Sequence, residues 1–380
     1  MNWPFYVSLA VFAVTLAMSA LVAYGSRRIR YLRNQAPAAA LPRLSIIIAA
    51  CNEADTLEPA LRSLLNLDYP DLEIIAVDDR SSDGTGAILE RLAASQERLR
   101  VIHIESLPPG WLGKVHALHA ASRAASGEYL LFTDADVVFA PDCPRRAVSH
   151  AEREGFDHLV VTPDFVTDNR LLRMMLVLFI AGMMVVFQPW RVRHARGRFV
   201  GVGAFNLVRA RAYRALGGHA PLAMAPLDDL MLGKLMKRGG ARADVLYGRG
   251  LLSVAWYRTP LEMVRGLGKN AFSGFDYSLA KLCAATAALL ILTFWPPLAL
   301  FLTDGITRSL NCASLATSLA MLGDTARRGG WGAGCLLYVF PAQLLTIYTW
   351  WRAALLALWR QGIEWRGTRY PLAEIKARHF

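Results

Sequence analysis

Asp134-Ala135-Asp136 closes a short apolar run, Tyr129 to Thr133, that reads as a buried parallel strand. Along an extended backbone residues i and i+2 point the same way, so both carboxylates can face one point. Two hard oxygen donors suit Mg²⁺ or Mn²⁺, ions that keep other positions for water and phosphate oxygens. A second acidic strand end, Asp78-Asp79, follows Leu72 to Val77 and precedes Ser81-Ser82-Asp83-Gly84-Thr85. One reading is strand-end polarity with a helix cap and a turn. The other is a nucleotide pocket, in which carboxylates accept from ribose hydroxyls and a base N–H, with Cys51-Asn52-Glu53 after the strand Leu44 to Ala50 as a further wall.

Gly110-Trp111-Leu112-Gly113-Lys114 opens a helix. It lacks the spacing of a P-loop, yet a lysine at a helix N-terminus is well placed for an anion, because amides and dipole act beside it. Asp228-Asp229 opens a later helix that ends near Gly239-Gly240. Two adjacent carboxylates cannot both serve as one cap, which leaves one as a candidate base. Ahead of them, the glycines of Gly201-Val202-Gly203-Ala204-Phe205-Asn206 allow backbone to approach a ligand closely, or form a bulge.

The elements that must position these groups alternate. Strands at 44–50, 72–77, 100–104 and 129–133 are separated by helical patterns at 55–67, 85–92 and 114–126. Such alternation implies a doubly wound α/β sheet with ligands at the carboxyl ends of its strands, where the acidic clusters fall.

The flanks are different in kind. Of 380 residues, 54% are hydrophobic and 19% charged, which excludes a disordered chain and argues against an ordinary soluble enzyme. Trp3 to Tyr24 carries no charge over 22 residues, about 33 Å as a helix and enough to cross a bilayer. Arg27, Arg28, Arg30 and Arg33 follow, placing that end in the cytoplasm. Without a basic n-region the segment reads as an anchor rather than a cleaved signal. Leu279–Leu302 and Trp331–Leu358 are apolar runs interrupted by Lys281 and Arg352; Leu310–Leu322 is marginal, and Pro296-Pro297 is expected to break the first run or fold it into a hairpin. The expected organisation is an anchor at 1–25, a basic linker at 26–41, a cytoplasmic catalytic domain at 42–257, an amphipathic interface helix at 258–278, a transmembrane region at 279–358 and a basic tail at 359–380, with three to five spans.

Met174–Gln188 is apolar but, at about 15 residues, short of the roughly 20 needed to span. With Trp190, Arg191, Arg193, His194, Arg196 and Arg198 after it, the 170–198 stretch reads as interfacial. The net charge of +12 is therefore largely juxtamembrane, and nucleic acid is not an expected partner. Five cysteines without a CxxC pair exclude a disulfide scaffold and a zinc ribbon.

In order and spacing, Cys51-Asn52-Glu53, Val77-Asp78-Asp79-Arg80-Ser81-Ser82-Asp83-Gly84-Thr85, Asp134-Ala135-Asp136 and Asp228-Asp229 resemble the family 2 glycosyltransferases of GT-A fold, over about 44–240. Gly110 to Lys114, with the anchor–domain–helices layout, is most similar to the membrane-bound, lipid-directed branch of ceramide glucosyltransferase-like and carotenoid- and hopanoid-associated enzymes. The resemblance implies a GT-A (nucleotide-diphospho-sugar transferase-like) catalytic domain between N- and C-terminal transmembrane helices of an inner membrane. It implies transfer from a UDP-hexose-type donor to a lipid hydroxyl. In it Asp78 or Asp79, with Cys51, Asn52, Glu53, Lys114 and Asp134, would hold the nucleotide sugar; Asp134 and Asp136 would bind Mg²⁺ or Mn²⁺; and Asp229, beside Asp228, would be the base. Asp228 stands where the family has Glu, and the Q-x-x-R-W of many membrane members is absent. Gly203, Phe205, Asn206, Arg258, Arg265 and Lys269 are the acceptor or diphosphate candidates. A processive polysaccharide synthase and a non-catalytic lipid-binding protein of the same fold are the alternatives.

Overall fold

The computed structural model describes residues 3–365 and 367–377, with the side chains of Lys269 and Ala377 outside the description. The chain forms two compact units, one of residues 29–166, 189–256 and 362 onward, the other of residues up to 28, 167–188 and 257–361.

The first unit is built on β-structure. Its strands are β1 (Arg30–Tyr31), β2 (Leu44–Ala50), β3 (Leu72–Asp79), β4 (Leu99–Ile104), β5 (Tyr129–Asp134), β6 (Val137–Phe139), β7 (His158–Thr162), β8 (Asp164–Phe165), β9 (Asn206–Arg209), β10 (Ala243–Tyr247), β11 (Leu252–Val254), β12 (Gly362–Trp365) and β13 (Thr368–Pro371). Eight of them make one sheet in the order β1-β10-β7-β9-β5-β2-β3-β4, parallel except for β9, which runs antiparallel to both neighbours. β2 is Leu-Ser-Ile-Ile-Ile-Ala-Ala, buried along nearly its whole length. That is the pattern expected of a parallel strand covered on both faces, each buried Ile or Leu contributing about 1.5–3 kcal/mol of apolar burial.

Register explains how residues far apart in sequence meet. β2 lies between β3 and β5, with Ala50 opposite Asp78 and Ala49 opposite Asp134. The acidic ends of β3 and β5 therefore flank the end of β2 on one edge. β9, central although late in the chain, sets Asn206 opposite Phe132 of β5 and Val160 of β7.

The structure departs from the sequence reading in five places. The helix expected to be too short to span begins at Arg170, capped by Asn169 Oδ1 accepting from Leu172 N at 3.0 Å, and runs 18 residues to Phe187. It is long and apolar enough to cross a membrane. The chain enters it from β8 and leaves it toward β9, both strands of the other unit. The single amphipathic helix expected at 258–278 is instead a seven-residue helix, Pro260–Gly266, and two 3₁₀ turns, Leu267–Lys269 and Ser273–Phe275. Gly266, Gly268 and Gly274 fall in this stretch and weaken a continuous helix.

Pro296-Pro297 does not end its helix, which is continuous over Leu279–Leu302. Apolar helices tolerate proline where neighbours and local adjustment satisfy the freed carbonyls. Leu310–Leu322 proves to be the middle of a 24-residue helix, Gly305–Arg328. It is tied to the N-terminal helix Trp3–Arg28 by Asn311 Nδ2 donating to Ser8 Oγ at 2.8 Å. Finally, the tail folds: β12 and β13 form an antiparallel hairpin followed by the helix Leu372–Ala377, and this hairpin belongs to the sheet-bearing unit. Among the described residues, four helices are long and apolar enough to cross a membrane: Trp3–Arg28, Arg170–Arg191, Leu279–Leu302 and Ala333–Trp359.

Candidate active site

The loops after β2 and β3 are laced together. Asn52 N donates to Ser81 Oγ at 3.1 Å, Ser82 N donates to Asn52 Oδ1 at 2.8 Å, and Glu53 N donates to Thr85 Oγ1 at 2.8 Å. Asp83 accepts from Ala54 N and Thr85 N, the first amides of the two helices that follow these strands. Burial pushes its carboxyl up, but the Thr85 and Ala54 hydrogen bonds win and hold it below the usual range. Asn52 and Arg80 both take the left-handed backbone conformation, at φ 56° and 58°, where the two loops turn over the strand ends.

Asp79 is buried and bound by Arg80 through two bonds, Nε to Oδ1 at 2.8 Å and Nη2 to Oδ2 at 3.1 Å. This pair packs against Gly113, where an added Cβ would collide with the Asp79 carboxylate and the Arg80 guanidinium. Asp78, more open, accepts from Ser81 N at 3.2 Å and meets His103 Nδ1 at 3.1 Å. Cys51 is half-buried.

Lys114, in the first turn of the helix Gly113–Ala124, is the hub of the acidic groups. Its Nζ lies 2.7 Å from Asp134 Oδ1 and 3.5 Å from Asp228 Oδ2. Burial pushes its ammonium down, but Asp134, Asp228 and Asp229 together outweigh that and raise its pKa, so it stays charged. Below it are buried neutral groups. The Tyr213 hydroxyl lies 2.6 Å from His219 Nδ1 and 3.1 Å from Ser122 Oγ, and burial drives His219 down to about 3.

Asp136 lies in the turn between β5 and β6 rather than in an extended run, yet it still crowds Asp134. Burial, then Asp134 and Glu53, push its carboxyl up to about 7. Among the described residues no group of three or more His, Cys, Asp or Glu side chains could hold a metal alone. Two mutually repelling carboxylates nevertheless fit a hard divalent cation whose other positions go to water and diphosphate oxygens.

Asp229 is held by backbone. Gly203 N donates to Oδ2 at 2.7 Å and Leu230 N to Oδ1 at 2.8 Å. Gly203 also presses on Asp134, whose Oδ2 lies 2.5 Å from where a Cβ would be. Burial and the neighbouring Asp228 raise the Asp229 carboxyl to about 6, against the pull of Lys114. Asp228 itself is buried, whereas Asp229 is partly open to the cleft between Lys114, Asp134 and His219.

The remaining acceptor candidates separate. Phe205 is fully buried in the core against Phe139, so it cannot contact an acceptor. Asn206 is buried and engaged by protein at both ends of its amide. Arg258, Arg265 and Lys269 belong to the unit of long helices, whereas the carboxylates belong to the sheet-bearing unit, and the Lys269 side chain lies outside the described ones.

One group had no counterpart in the sequence reading. The Tyr370 hydroxyl on β13 accepts from Gly113 N at 3.2 Å, occupying an amide at the start of the Lys114 helix. The alternating Ile363-Glu364-Trp365 and Thr368-Arg369-Tyr370 around Gly367 carry a hairpin signal. Tyr370→Phe is expected to cost about 1 kcal/mol by orphaning that buried amide, seen as a melting temperature about 2–4 °C lower.

With this geometry in hand, comparison with known proteins places the chain. Residues 45–216 match the family described as Glycosyl transferase family 2. That match takes in less than half of the chain, and the fold it falls in is the mixed α/β, GT-A-like one. The poly-beta-1,6-N-acetyl-D-glucosamine synthase of Staphylococcus aureus (strain MSSA476) is 32% identical over 124 residues, covering 32% of this chain and 29% of that one. The protein of the same description from Staphylococcus epidermidis is 35% identical over 101 residues, covering 27% and 23%. The chain thus spans under a third of the length of these curated relatives. Among solved structures, the mannosyltransferase PcManGT from Pyrobaculum calidifontis, in complex with GDP-Man and Mn²⁺, aligns over 94% of this chain and 99% of its own, with TM-score 0.60 and 19% identity. That likeness is one of fold.

Proposed function

We propose that the protein moves a sugar from a nucleoside diphosphate sugar, of the UDP-hexose type, to a hydroxyl of a membrane lipid, with inversion at the anomeric carbon. The observation that carries this reading is the clustering of Asp134, Asp228 and Asp229 about one charged lysine at the carboxyl edge of the sheet.

In this reading Asp78, the more open of its pair, accepts from the nucleoside. Asp79 instead holds Arg80 and, with it, the shape of the pocket floor at Gly113. Asp134 and Asp136 would hold Mg²⁺ or Mn²⁺, which when bound supplies positive charge to the diphosphate. Lys114 adds a fixed positive charge beside the departing nucleoside diphosphate, in a site where such charge acts strongly because water is scarce. Asp229 takes the proton from the acceptor hydroxyl as that oxygen attacks the anomeric carbon from the face opposite the leaving group, within about 3 Å. The C–O bond to the acceptor forms as the bond to the diphosphate oxygen breaks.

The lipid acceptor rests on the four apolar helices and on the missing Q-x-x-R-W; the first would hold the acceptor's tails in a bilayer, with the catalytic unit on its cytoplasmic side. A processive polysaccharide synthase is the second reading, favoured by the staphylococcal relatives. Membranes containing the protein, given a radiolabelled nucleotide sugar, separate the two. Label extracted by organic solvent supports the lipid acceptor, label in insoluble polymer supports the synthase, and no release of nucleoside diphosphate from any donor refutes both.

A further inference from the structure

The proposed base is anchored from behind by two buried polar side chains on neighbouring strands. Asn206 of β9 is 1% exposed and donates from Nδ2 to the Asp229 main-chain carbonyl at 3.1 Å. Its Oδ1 lies 2.5 Å from Nε2 of His158 on β7, also 1% exposed. The polarity of this chain is fixed by chemistry. A carbonyl only accepts, so the Asn206 nitrogen must face Asp229 and its oxygen must face His158, which must donate from Nε2. Burial keeps His158 neutral, its pKa lowered to about 4, and its Nδ1 is buried without a partner among the described atoms. Gly201 also leaves no room for a Cβ against the same Asp229 carbonyl. The Asp229 main chain is thus bonded by Asn206 and closely approached by Gly201 while Gly203 N holds its carboxylate.

We infer that His158 is a positioning residue for sugar transfer, acting through Asn206 to set the main chain of Asp229 and hence the reach of its carboxylate. A buried polar pair that served only the core could be replaced by apolar side chains at little cost. This one ends on the residue proposed as base. The inference rests on the reading of Asp229 given above.

The test uses the full-length protein in membranes and three readouts: kcat for transfer, affinity for the nucleoside diphosphate, and melting temperature. His158→Leu is expected to lower kcat at least tenfold, since small misplacements of a reacting group are costly. Nucleotide affinity should stay within about twofold. His158→Gln, which can still donate to Asn206, should recover most of the rate. In an Asp229→Asn background His158→Leu should cause no further loss, because residues acting through one another are not additive. A kcat equal to wild type in His158→Leu, or a further tenfold loss on top of Asp229→Asn, overturns the inference. If the leucine variant does not fold, Asn206→Ser cuts the same chain one link later and must show the same kcat loss; wild-type kcat there overturns it equally. Wild-type turnover in Asp229→Asn alone removes the base assignment and the inference with it, whereas a dead Asp229→Asn with a fully active His158→Leu removes only the inference.

Discussion

Asp229→Asn is expected to lower turnover by about 10²–10⁴-fold, the usual contribution of a positioned base, while nucleotide affinity stays within a few-fold. The asparagine preserves shape and its oxygen can keep the hydrogen bond from Gly203 N, giving up only the one from Leu230 N, so a loss of this size reports proton transfer rather than collapse of the loop. Asp228→Asn should behave differently. Asp228 is buried with Lys114 at 3.5 Å, and neutralising it disturbs the charge balance and stability of the cluster more than the proton transfer. The same assignment fixes a pH dependence. Burial and Asp228 raise the Asp229 carboxyl to about 6, so protonation removes the base as pH falls through about 6. kcat/KM should decline on that side and reach a plateau above it, and the decline should vanish in the residual activity of Asp229→Asn.

Asp136→Asn carries the second large effect. The wild-type carboxyl is held up to about 7 by burial and by Asp134 and Glu53, a repulsion that a divalent cation relieves. Turnover should fall to background in excess chelator and return with Mg²⁺ or Mn²⁺. Asp136→Asn should raise the ion concentration for half-maximal activity by about 10–100-fold, in line with losses at weakened metal sites. A readout independent of activity is available, because an ion that binds only the folded state raises the melting temperature with concentration. Wild type should show that rise, and Asp136→Asn should show it only at correspondingly higher ion concentration. Full activity in chelator would remove the metal from the account and leave Lys114 as the sole counter-charge.

Much of this site could be read from residues alone, because it lies where strands end. Leu44–Ala50 and Tyr129–Thr133 are too apolar to be anything but buried strands, and the acids that follow them must emerge at one edge. That Asp78 and Asp134 flank one strand end needed the register, which sets β2 between their strands. Reading failed where a residue's direction depends on distant partners. Phe205 and Asn206 look like one glycine-rich loop, yet the insertion of β9 between β5 and β7 sends the ring into the core and the amide to Asp229. Tyr370 is 257 positions from Gly113, beyond any local pattern. Pro296-Pro297 misled because the rule that proline breaks helices is calibrated in water, and this helix is almost wholly apolar.

The central claim is a single displacement, with one carboxylate as base and no covalent sugar–enzyme stage. Proton NMR of the first product formed from an α-linked nucleotide sugar tests it most directly. The account predicts a β-configured anomeric centre in the transferred sugar. An α-configured product, formed before any spontaneous anomerisation, would mean two displacements or attack from the leaving-group face and would contradict the role given to Asp229.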